Sequence, residues 1–209
     1  INVRYIILSN GDLHFSWDTE TGNPTPIRFF PNQASFLNRS KFKPNPDALI
    51  NEHIDNDYVG ETQKPDYATD PRWSDESQRK DFLRENGLMI LREYQLSAVK
   101  SIQKAVSEGD SRFLFEMATG TGKTLIAAAV IKLFLRTSNA KRVLFLVDRL
   151  ELEDQADKAF TRYLKNDYQT VVYKRARDNW NNANIVVSTV QSLTDKYHQL
   201  FTPTDFDLI

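Results

Sequence analysis

The segment over residues 116–124, with the sequence EMATGTGKT, constrains this chain more than any other. It follows a short apolar run at residues 113–115 and precedes apolar residues spaced three and four apart. A short apolar run predicts a buried strand, whereas that spacing predicts a helix. A strand, a glycine-containing loop and a helix in this order are the context that a phosphate-binding loop requires.

The chemistry of the loop follows from its residue types. Glycine has no Cβ, so the backbone at Gly120 and Gly122 can turn tightly around an anion while N–H groups of the loop and helix point at the phosphates. The Lys123 ammonium is expected to neutralise the β- and γ-phosphates, and the Thr124 hydroxyl to ligate Mg²⁺. The sequence therefore predicts a nucleoside triphosphate site in which Lys123 and Thr124 are catalytic. The predicted binding residues of the loop are Thr119, Gly120, Thr121, Gly122, Lys123 and Thr124.

Composition excludes several classes of site. The chain has 209 residues, a net charge of −1, no cysteine and three histidines that lie far apart in sequence. Disulfide frameworks and thiolate metal sites are therefore excluded, and a zinc site is not expected. A near-neutral charge gives no global signature of nucleic-acid binding, so any DNA contact has to come from a local face. No apolar run reaches the length of about 18 residues that predicts a membrane span.

The two halves of the chain differ in character. Residues 1–86 hold seven of the eight prolines. There, residues 3–8 and 12–17 read as strands joined at Asn10-Gly11, a dipeptide typical of two-residue hairpin turns. A proline-rich loop region follows from residue 23, with one short helix near 34–37. A charged helix is predicted over 75–84, with Ser74 as its N-cap and Gly87 beyond its end.

From residue 87 onward, helical patterns alternate with short apolar runs. This alternation predicts an α/β fold with a parallel sheet and right-handed crossovers. The predicted helices are 94–105, ending near Gly109, then 125–134, 152–160 and a short stretch over 190–197. The predicted strands are 113–115, 143–147, 170–173, 185–187 and 206–209.

Four phrases in this half resemble a known family. They are LREYQLSAV at 91–99, MATGTGKT at 117–124, VLFLVDR at 143–149 and VSTVQSL at 187–193. Their order resembles the first RecA-like domain of superfamily 2 helicases and translocases. Within that group the chain is similar to the R (restriction and translocation) subunit of type I restriction enzymes. Met117 stands where the usual loop has its first glycine, and this branch resembles enzymes that have methionine there.

The resemblance implies ATP with Mg²⁺ as the bound nucleotide and assigns roles around it. Gln95 matches the glutamine that reads adenine, because an amide donates and accepts hydrogen bonds at once. Arg92 and Tyr94 lie close enough in sequence to stack on the base, and Tyr94 is equally well explained as a core residue. Without the family, Gln95 is equally well explained as a solvated helix residue.

The resemblance also implies contacts to the DNA backbone. Arg149, after a predicted strand, is expected to hold a DNA phosphate, and Ser188, Thr189 and Gln191 match a second backbone-contact motif. Contacts to phosphates carry no sequence information, which suits an enzyme that moves along any sequence. The alternatives from the residues alone are a surface salt bridge at Arg149 and a helix N-cap at Ser188 or Thr189.

The resemblance divides the chain into three parts. Residues 1–30 are expected to be the end of an upstream nuclease-like domain, 31–86 a connector, and 87–209 a RecA-like motor domain truncated before the Asp-Glu box. The nuclease residues are then expected upstream and the arginine finger downstream, so this piece alone is expected to bind nucleotide weakly without hydrolysing it. Expected partners are double-stranded DNA and the methyltransferase and specificity subunits, in the cytoplasm and without a membrane.

Other functions remain open at this point. Within the same class are other DNA or RNA helicases of superfamily 2 and type III restriction subunits. A nucleotide-binding scaffold that never moves on DNA is a different class, and the motifs at Arg149 and Ser188 argue against it. A small-molecule kinase would not need the Gln95 motif before the loop. The sequence leaves open the DNA recognition site, the direction and step size of movement, and the oligomeric state.

Overall fold

The computed structural model describes residues 5–11, 14–19, 24–27, 42–177, 179–193, 201 and 204–209. They belong to two compact units. One is built from Ile1–Lys43 with Leu193–Asp205, and the other from Pro44–Ser192 with Phe206–Ile209. None of the helices within the described residues has the length and apolar character needed to cross a membrane.

The first unit contains an antiparallel sheet of three strands, β1 (Tyr5–Ser9), β2 (His14–Asp18) and β3 (Thr25–Ile27), in that order. The predicted hairpin is present, but the prediction of a two-residue turn at Asn10-Gly11 is wrong. Ser9 pairs with His14, so four residues connect the strands. The Ser9 hydroxyl lies 2.7 Å from His14 Nδ1, where the connection begins and ends. The third strand was expected to be loop. The helix predicted near 34–37 lies outside the described residues.

The second unit begins with short helices. They are α1 (Pro46–Asn51), α2 (Gly60–Gln63), α3 (Pro71–Ser74) and α4 (Glu76–Glu85), with a 3₁₀ turn at Tyr67–Thr69. The predicted helix over 75–84 is confirmed as α4, but Ser74 is not its cap. Ser74 ends α3, and the Asp75 carboxylate accepts a bond from Ser77 N at 2.9 Å, as an N-cap does. Gly87 follows the helix with φ +59°.

The rest of the second unit alternates helices and parallel strands, as predicted. The elements are α5 (Glu93–Ser107), α6 (Lys123–Arg136), β4 (Val143–Val147), α7 (Leu150–Leu164), β5 (Thr170–Val172) and β6 (Ile185–Thr189), with 3₁₀ turns at Tyr173–Arg175 and Trp180–Asn182. The strands lie in the order β4-β6-β5, and both pairs are parallel. The fold class is therefore the predicted one, α/β and RecA-like. Residues 190–193 form a bend and turn, and the rest of the helix predicted there lies outside the described residues.

The prediction of a strand at residues 113–115 is wrong. Residues 111–118 have no strand pairing, and Leu114 is 95% exposed. Phe113, Phe115 and Met117 nevertheless pack against the core, so the side chains alternate as in a strand that lacks a ladder partner among the described residues. Where a strand was expected at residues 206–209, a single parallel bridge joins Leu208 to Val143.

Two clusters of buried apolar residues lie within the part of the chain that the structure describes, and α6 contributes to both. One joins α1 and the following loop to α5 and α6; its buried members are Leu49, Ile54, Tyr58, Val59, Leu91, Leu96, Val99, Ile102, Leu125, Ile126, Ala129 and Leu133. The other joins α6 to α7 and the parallel sheet and includes Ala128, Ile131, Phe160, Ile185 and Val187. Residues 46–59, expected to belong to a connector, thus share a core with the helix that follows the phosphate loop. The assignment of the three domains stays a prediction.

A buried cation reinforces this packing. Lys132 of α6 is 1% exposed, and its ammonium donates to the Tyr58 carbonyl and lies 4.7 Å from the centre of the Tyr58 ring. Burial, together with the neighbouring Arg136 cation, lowers the pKa of Lys132 below its ordinary value. The helix α6 is therefore joined to the segment between α1 and α2 by a polar contact as well as by apolar area.

The shared core makes a testable prediction at Leu49, which is 1% exposed. Leu49→Ala is expected to lower the free energy of unfolding by about 2–5 kcal/mol, because the substitution leaves a cavity in that core. Denaturant unfolding measures the loss, and hydrogen exchange should show reduced protection in α6. Lys100→Ala, at an exposed site of α5, is the control. Protection lost only before residue 87 would contradict a shared core.

Candidate functional site

The phosphate loop has the backbone that its glycines permit. Gly120 has φ +79° and Gly122 φ +80°, both in the left-handed region. Gly122 is the N-cap of α6, and its carbonyl accepts from Leu125 N at 3.0 Å. Thr121 Oγ1 donates to the Ala118 carbonyl at 2.7 Å, which closes the loop on itself. The loop therefore delivers the chain into a helix N-terminus, whose first N–H groups lack intrahelical partners and favour anions.

Helix α5 holds the loop from one side. Gln95 is 3% exposed; its Nε2 donates to the Thr121 carbonyl at 2.8 Å, and its Oε1 accepts from Arg92 N at 2.9 Å. Tyr94 Oη donates to the same Thr121 carbonyl at 2.7 Å. A Cβ built on Gly122 would lie 2.5 Å from Gln95 Nε2. The contact thus requires glycine at this position for space as well as for backbone conformation.

The residues expected to bind the base are only partly available in this arrangement. Both polar atoms of the Gln95 amide are occupied by backbone groups, so reading adenine would require the amide to exchange these bonds. Arg92 is exposed, and Tyr94 is 44% exposed beside the loop. The roles of Gln95 and Arg92 in binding adenine stay predictions.

The two residues expected to be catalytic lie at the start of α6. Lys123 is exposed, and its ammonium donates to the Ala118 carbonyl at 3.0 Å and the Met117 carbonyl at 3.3 Å. The charge therefore lies over the loop, where the phosphates are expected. Thr124 is half-buried in the first turn of the helix. Among the described residues, no neighbouring atom lies within 4 Å of a Cβ built on Gly120, so that side of the loop is open.

Arg149 lies where parallel strands end. It is the N-cap residue of α7, directly after β4 and Asp148, and its side chain is 77% exposed. Its Nε is 3.6 Å from Asp148 Oδ2, so the salt bridge considered from the sequence is present. A pair this exposed contributes little to stability, which leaves the guanidinium available to a phosphate.

Most of the second motif predicted to contact DNA is more deeply buried than a contact with the DNA backbone requires. Ser188 and Thr189 are each 1% exposed, whereas Gln191 is exposed. Thr189 Oγ1 accepts from Ser192 N at 3.2 Å, which is the bond expected from a capping residue. Of this motif, only Gln191 therefore presents an exposed side chain, and a role in DNA binding for the two hydroxyls stays a prediction.

The two motifs nevertheless leave the sheet side by side. Val147 pairs with Thr189 in the parallel register, and Val190 N donates to the Val147 carbonyl at 2.9 Å. The carboxyl ends of parallel strands are where ligands bind in open α/β sheets. Arg149 and Gln191 therefore follow adjacent strands at the same edge of the sheet.

A buried acid that the sequence pattern did not predict lies at this edge. Glu153 of α7 is 1% exposed, and its Oε1 accepts from Thr189 N at 2.8 Å. A signal for it existed: Glu153 shares a three- and four-residue spacing with Ala156, Phe160 and Leu164, which are the buried residues of the helix. An acid on the apolar face of an amphipathic helix indicates a specific partner in the core.

Comparison with known proteins agrees with this arrangement. A family profile described as "Type III restriction enzyme, res subunit" matches residues 88–209, more than half of the chain. The chain belongs to this family. The match covers the phosphate loop, the parallel sheet and the motifs that follow β4 and β6.

Individual relatives are type I restriction enzyme endonuclease subunits. The EcoKI subunit of Escherichia coli K12 is 39% identical over 118 residues, covering 54% of this chain and 10% of its own length. The EcoAI subunit of Escherichia coli is 45% identical over 78 residues, covering 37% and 9%. A Staphylococcus saprophyticus subunit is 27% identical over 115 residues, covering 53% and 12%. The resemblance to R subunits is therefore confirmed, and the chain spans about a tenth of the length of these relatives.

The crowding at Gly122 makes a prediction about the loop. Gly120→Ala is expected to lower the free energy of unfolding by about 1–2 kcal/mol, the usual effect of a left-handed φ on a residue with a Cβ. Gly122→Ala is expected to lower it further, because the new Cβ also meets Gln95. Denaturant unfolding without nucleotide measures both, and Gly120→Ala is the matched control.

A double variant separates the two causes. In a Gln95→Ala background, Gly122→Ala should be less destabilising than in the wild type, since the clash is gone and only the backbone term remains. An equal loss in both backgrounds would show that Gln95 does not hold the loop.

Proposed function

We propose that this chain is the ATP-binding part of a type I restriction subunit that couples ATP hydrolysis to movement along double-stranded DNA. The observation that carries the proposal is the phosphate loop. Its two left-handed glycines lead into α6 with Lys123 over the loop and open space beside Gly120. The names of the relatives, endonuclease subunits of type I restriction enzymes, support the restriction system.

Different residues of the loop are expected to bind different parts of MgATP. The backbone from Thr119 to Gly122 and the start of α6 supply N–H groups, and Lys123 supplies positive charge to the β- and γ-phosphates. The Lys123 ammonium would exchange its bonds to two loop carbonyls for phosphate oxygens. The Thr124 hydroxyl would ligate the Mg²⁺ that accompanies ATP. Hydrolysis of ATP supplies the free energy for movement.

Contacts to DNA are proposed at the carboxyl edge of the sheet. Arg149 offers an exposed cation and Gln191 an exposed amide, on segments that leave adjacent strands. Groups of these kinds bind phosphates without reading bases, as translocation requires. Ser188 and Thr189 would contribute directly only if their segment opened, since both are buried.

The remaining proposals concern the whole protein. Residues 1–30 would belong to a nuclease domain, 31–86 to a connector and 87–209 to the motor. Methyltransferase and specificity subunits would be the partners, and the cytoplasm, where the DNA lies, the location. A type III restriction subunit is the second candidate, favoured by the description of the matching family. Sequence relatives of the type I class favour the first.

The decisive measurement is ATP hydrolysis by the full-length protein. Double-stranded DNA is expected to stimulate it, and Lys123→Ala to abolish the stimulated rate. In this chain, Lys123→Ala is expected to weaken MgATP binding by about ten- to hundredfold, since hydrogen bonds to charged groups contribute about 1.5–3 kcal/mol. Calorimetric titration measures the affinity.

The control for Lys123 is Lys100→Ala, which removes an exposed cation from α5. It should leave MgATP binding and hydrolysis unchanged. A full-length protein that hydrolyses ATP at the same rate with and without DNA would instead indicate a scaffold or another nucleotide-binding function.

Arg149→Ala is expected to weaken DNA binding by the full-length protein to a similar degree on different sequences, because the lost contact is to a phosphate. The dependence of log affinity on log salt should become shallower by about one, the value for one phosphate contact. Fluorescence anisotropy at several salt concentrations measures both. Lys158→Ala, exposed on the same helix, is the control. A loss confined to particular sequences would argue against a backbone contact.

A further inference from the structure

Glu153 carries an inference that rests on the function proposed above. It is a carboxylate with 1% exposure in the first turns of α7, four residues after Arg149. Burial of a charge is costly unless the charge is paired and hydrogen-bonded. The position therefore demands partners, and the structure supplies a hydrogen bond at one oxygen and an ion pair, without hydrogen-bond geometry, at the other.

The two oxygens of Glu153 bind different segments. Oε1 accepts from Thr189 N at 2.8 Å, at the end of β6. Oε2 lies 2.6 Å from the ammonium of Lys174, which follows β5 and is 35% exposed. Glu153 itself lies one turn into the helix that follows β4. One carboxylate therefore joins the end of β6, the segment that follows β5 and the helix that follows β4.

The bond to Thr189 fills a gap in the sheet. The last pair between β5 and β6 is Val172 with Val187, so β6 extends two residues past its pairing with β5 among the described residues. Thr189 N thus has no β5 acceptor in the ladder, and Glu153 takes that place. Without it, a buried backbone N–H at the end of β6 would lose its hydrogen bond.

The segments joined in this way are the ones proposed to contact DNA. Arg149 lies at the start of α7, and Gln191 follows Thr189 by two residues. Two contacts to the DNA backbone reinforce each other only when the distance between them matches the distance between the phosphates that they bind. The Glu153 link adds to the pairing of β4 with β6 and to the bond between Val190 N and the Val147 carbonyl, which already bring the two segments together.

We propose that Glu153 is a positioning residue that, with Lys174, fixes the Arg149 segment and the Gln191 segment at the spacing needed for DNA binding. It does not touch DNA or nucleotide. Its loss should therefore weaken the response to DNA and leave the use of ATP at saturating DNA nearly intact. A residue that only supported folding would change stability without this selectivity.

The test uses DNA-stimulated ATP hydrolysis by the full-length protein. In Glu153→Ala, the DNA concentration for half-maximal stimulation is expected to rise about tenfold, while kcat at saturating DNA and KM for ATP stay within about twofold. Glu153→Gln keeps an acceptor for Thr189 N and loses the charge, so a smaller rise is expected. Lys174→Met leaves the buried carboxylate without its cation, so its rise is expected to be at least as large as that of Glu153→Gln.

Two comparisons make the test specific. The double variant of Glu153→Gln and Lys174→Met should bind DNA about as well as Glu153→Gln alone, because the ion pair and the buried charge are already lost in that single variant. Glu151→Gln removes the same charge from an exposed site of the same helix and should match the wild type. If Glu153→Ala does not fold, the two conservative variants carry the test.

The outcomes separate this inference from the proposed function. No stimulation of the wild-type protein by DNA would overturn both. Stimulation of the wild type, with the same half-saturating DNA concentration in Glu153→Gln, Lys174→Met and Glu153→Ala, would overturn the positioning role alone. Additive effects in the double variant would show that the two side chains act separately and would also overturn it.

Discussion

The contact between Gln95 and the phosphate loop is the constraint on which the nucleotide site depends. A single carbonyl, that of Thr121, accepts from both Gln95 and Tyr94 of α5. The loop can approach the helix this closely only because Gly122 has no Cβ. The site is therefore built by two helices: α6 provides the N-terminus, and α5 fixes the path by which the chain reaches it. Any movement of Gln95 toward a base would break its bond to the Thr121 carbonyl and leave that carbonyl bonded to Tyr94.

Buried charges, rather than apolar area alone, specify how the helices sit. Lys132 joins α6 to the Tyr58 carbonyl, and Glu153 joins α7 to the ends of β5 and β6. A buried charge that is paired or hydrogen-bonded adds little net stability over a well-packed apolar residue, but loss of its partner is strongly unfavourable. Each therefore penalises arrangements in which its partner is displaced. We interpret these two residues as determinants of register between elements that the apolar core would hold less specifically.

Local signals explain what could be predicted from the sequence. The glycines, Lys123 and the periodic apolar residues placed the loop and α6 correctly, because each depends on neighbours in sequence. The strand expected at residues 113–115 failed because a strand needs a ladder partner, which sequence pattern does not supply. The prediction of Ser74 as a cap falls one residue too early, because Asp75 offers the same kind of side-chain acceptor and takes that role. The burial of Ser188 and Thr189 depends on packing that no local pattern encodes.

Met117 shows how the structure changes the meaning of a departure from the motif. Glycine is needed where φ is positive, and among the described residues only Asp66 and Ser138 have a positive φ without being glycine. Met117 therefore has an ordinary backbone conformation and needs no glycine. Its side chain packs on the core shared by α5 and α6, while its carbonyl accepts from Lys123. Methionine thus anchors the start of the loop in the core, and the freedom that the loop requires is confined to Gly120 and Gly122.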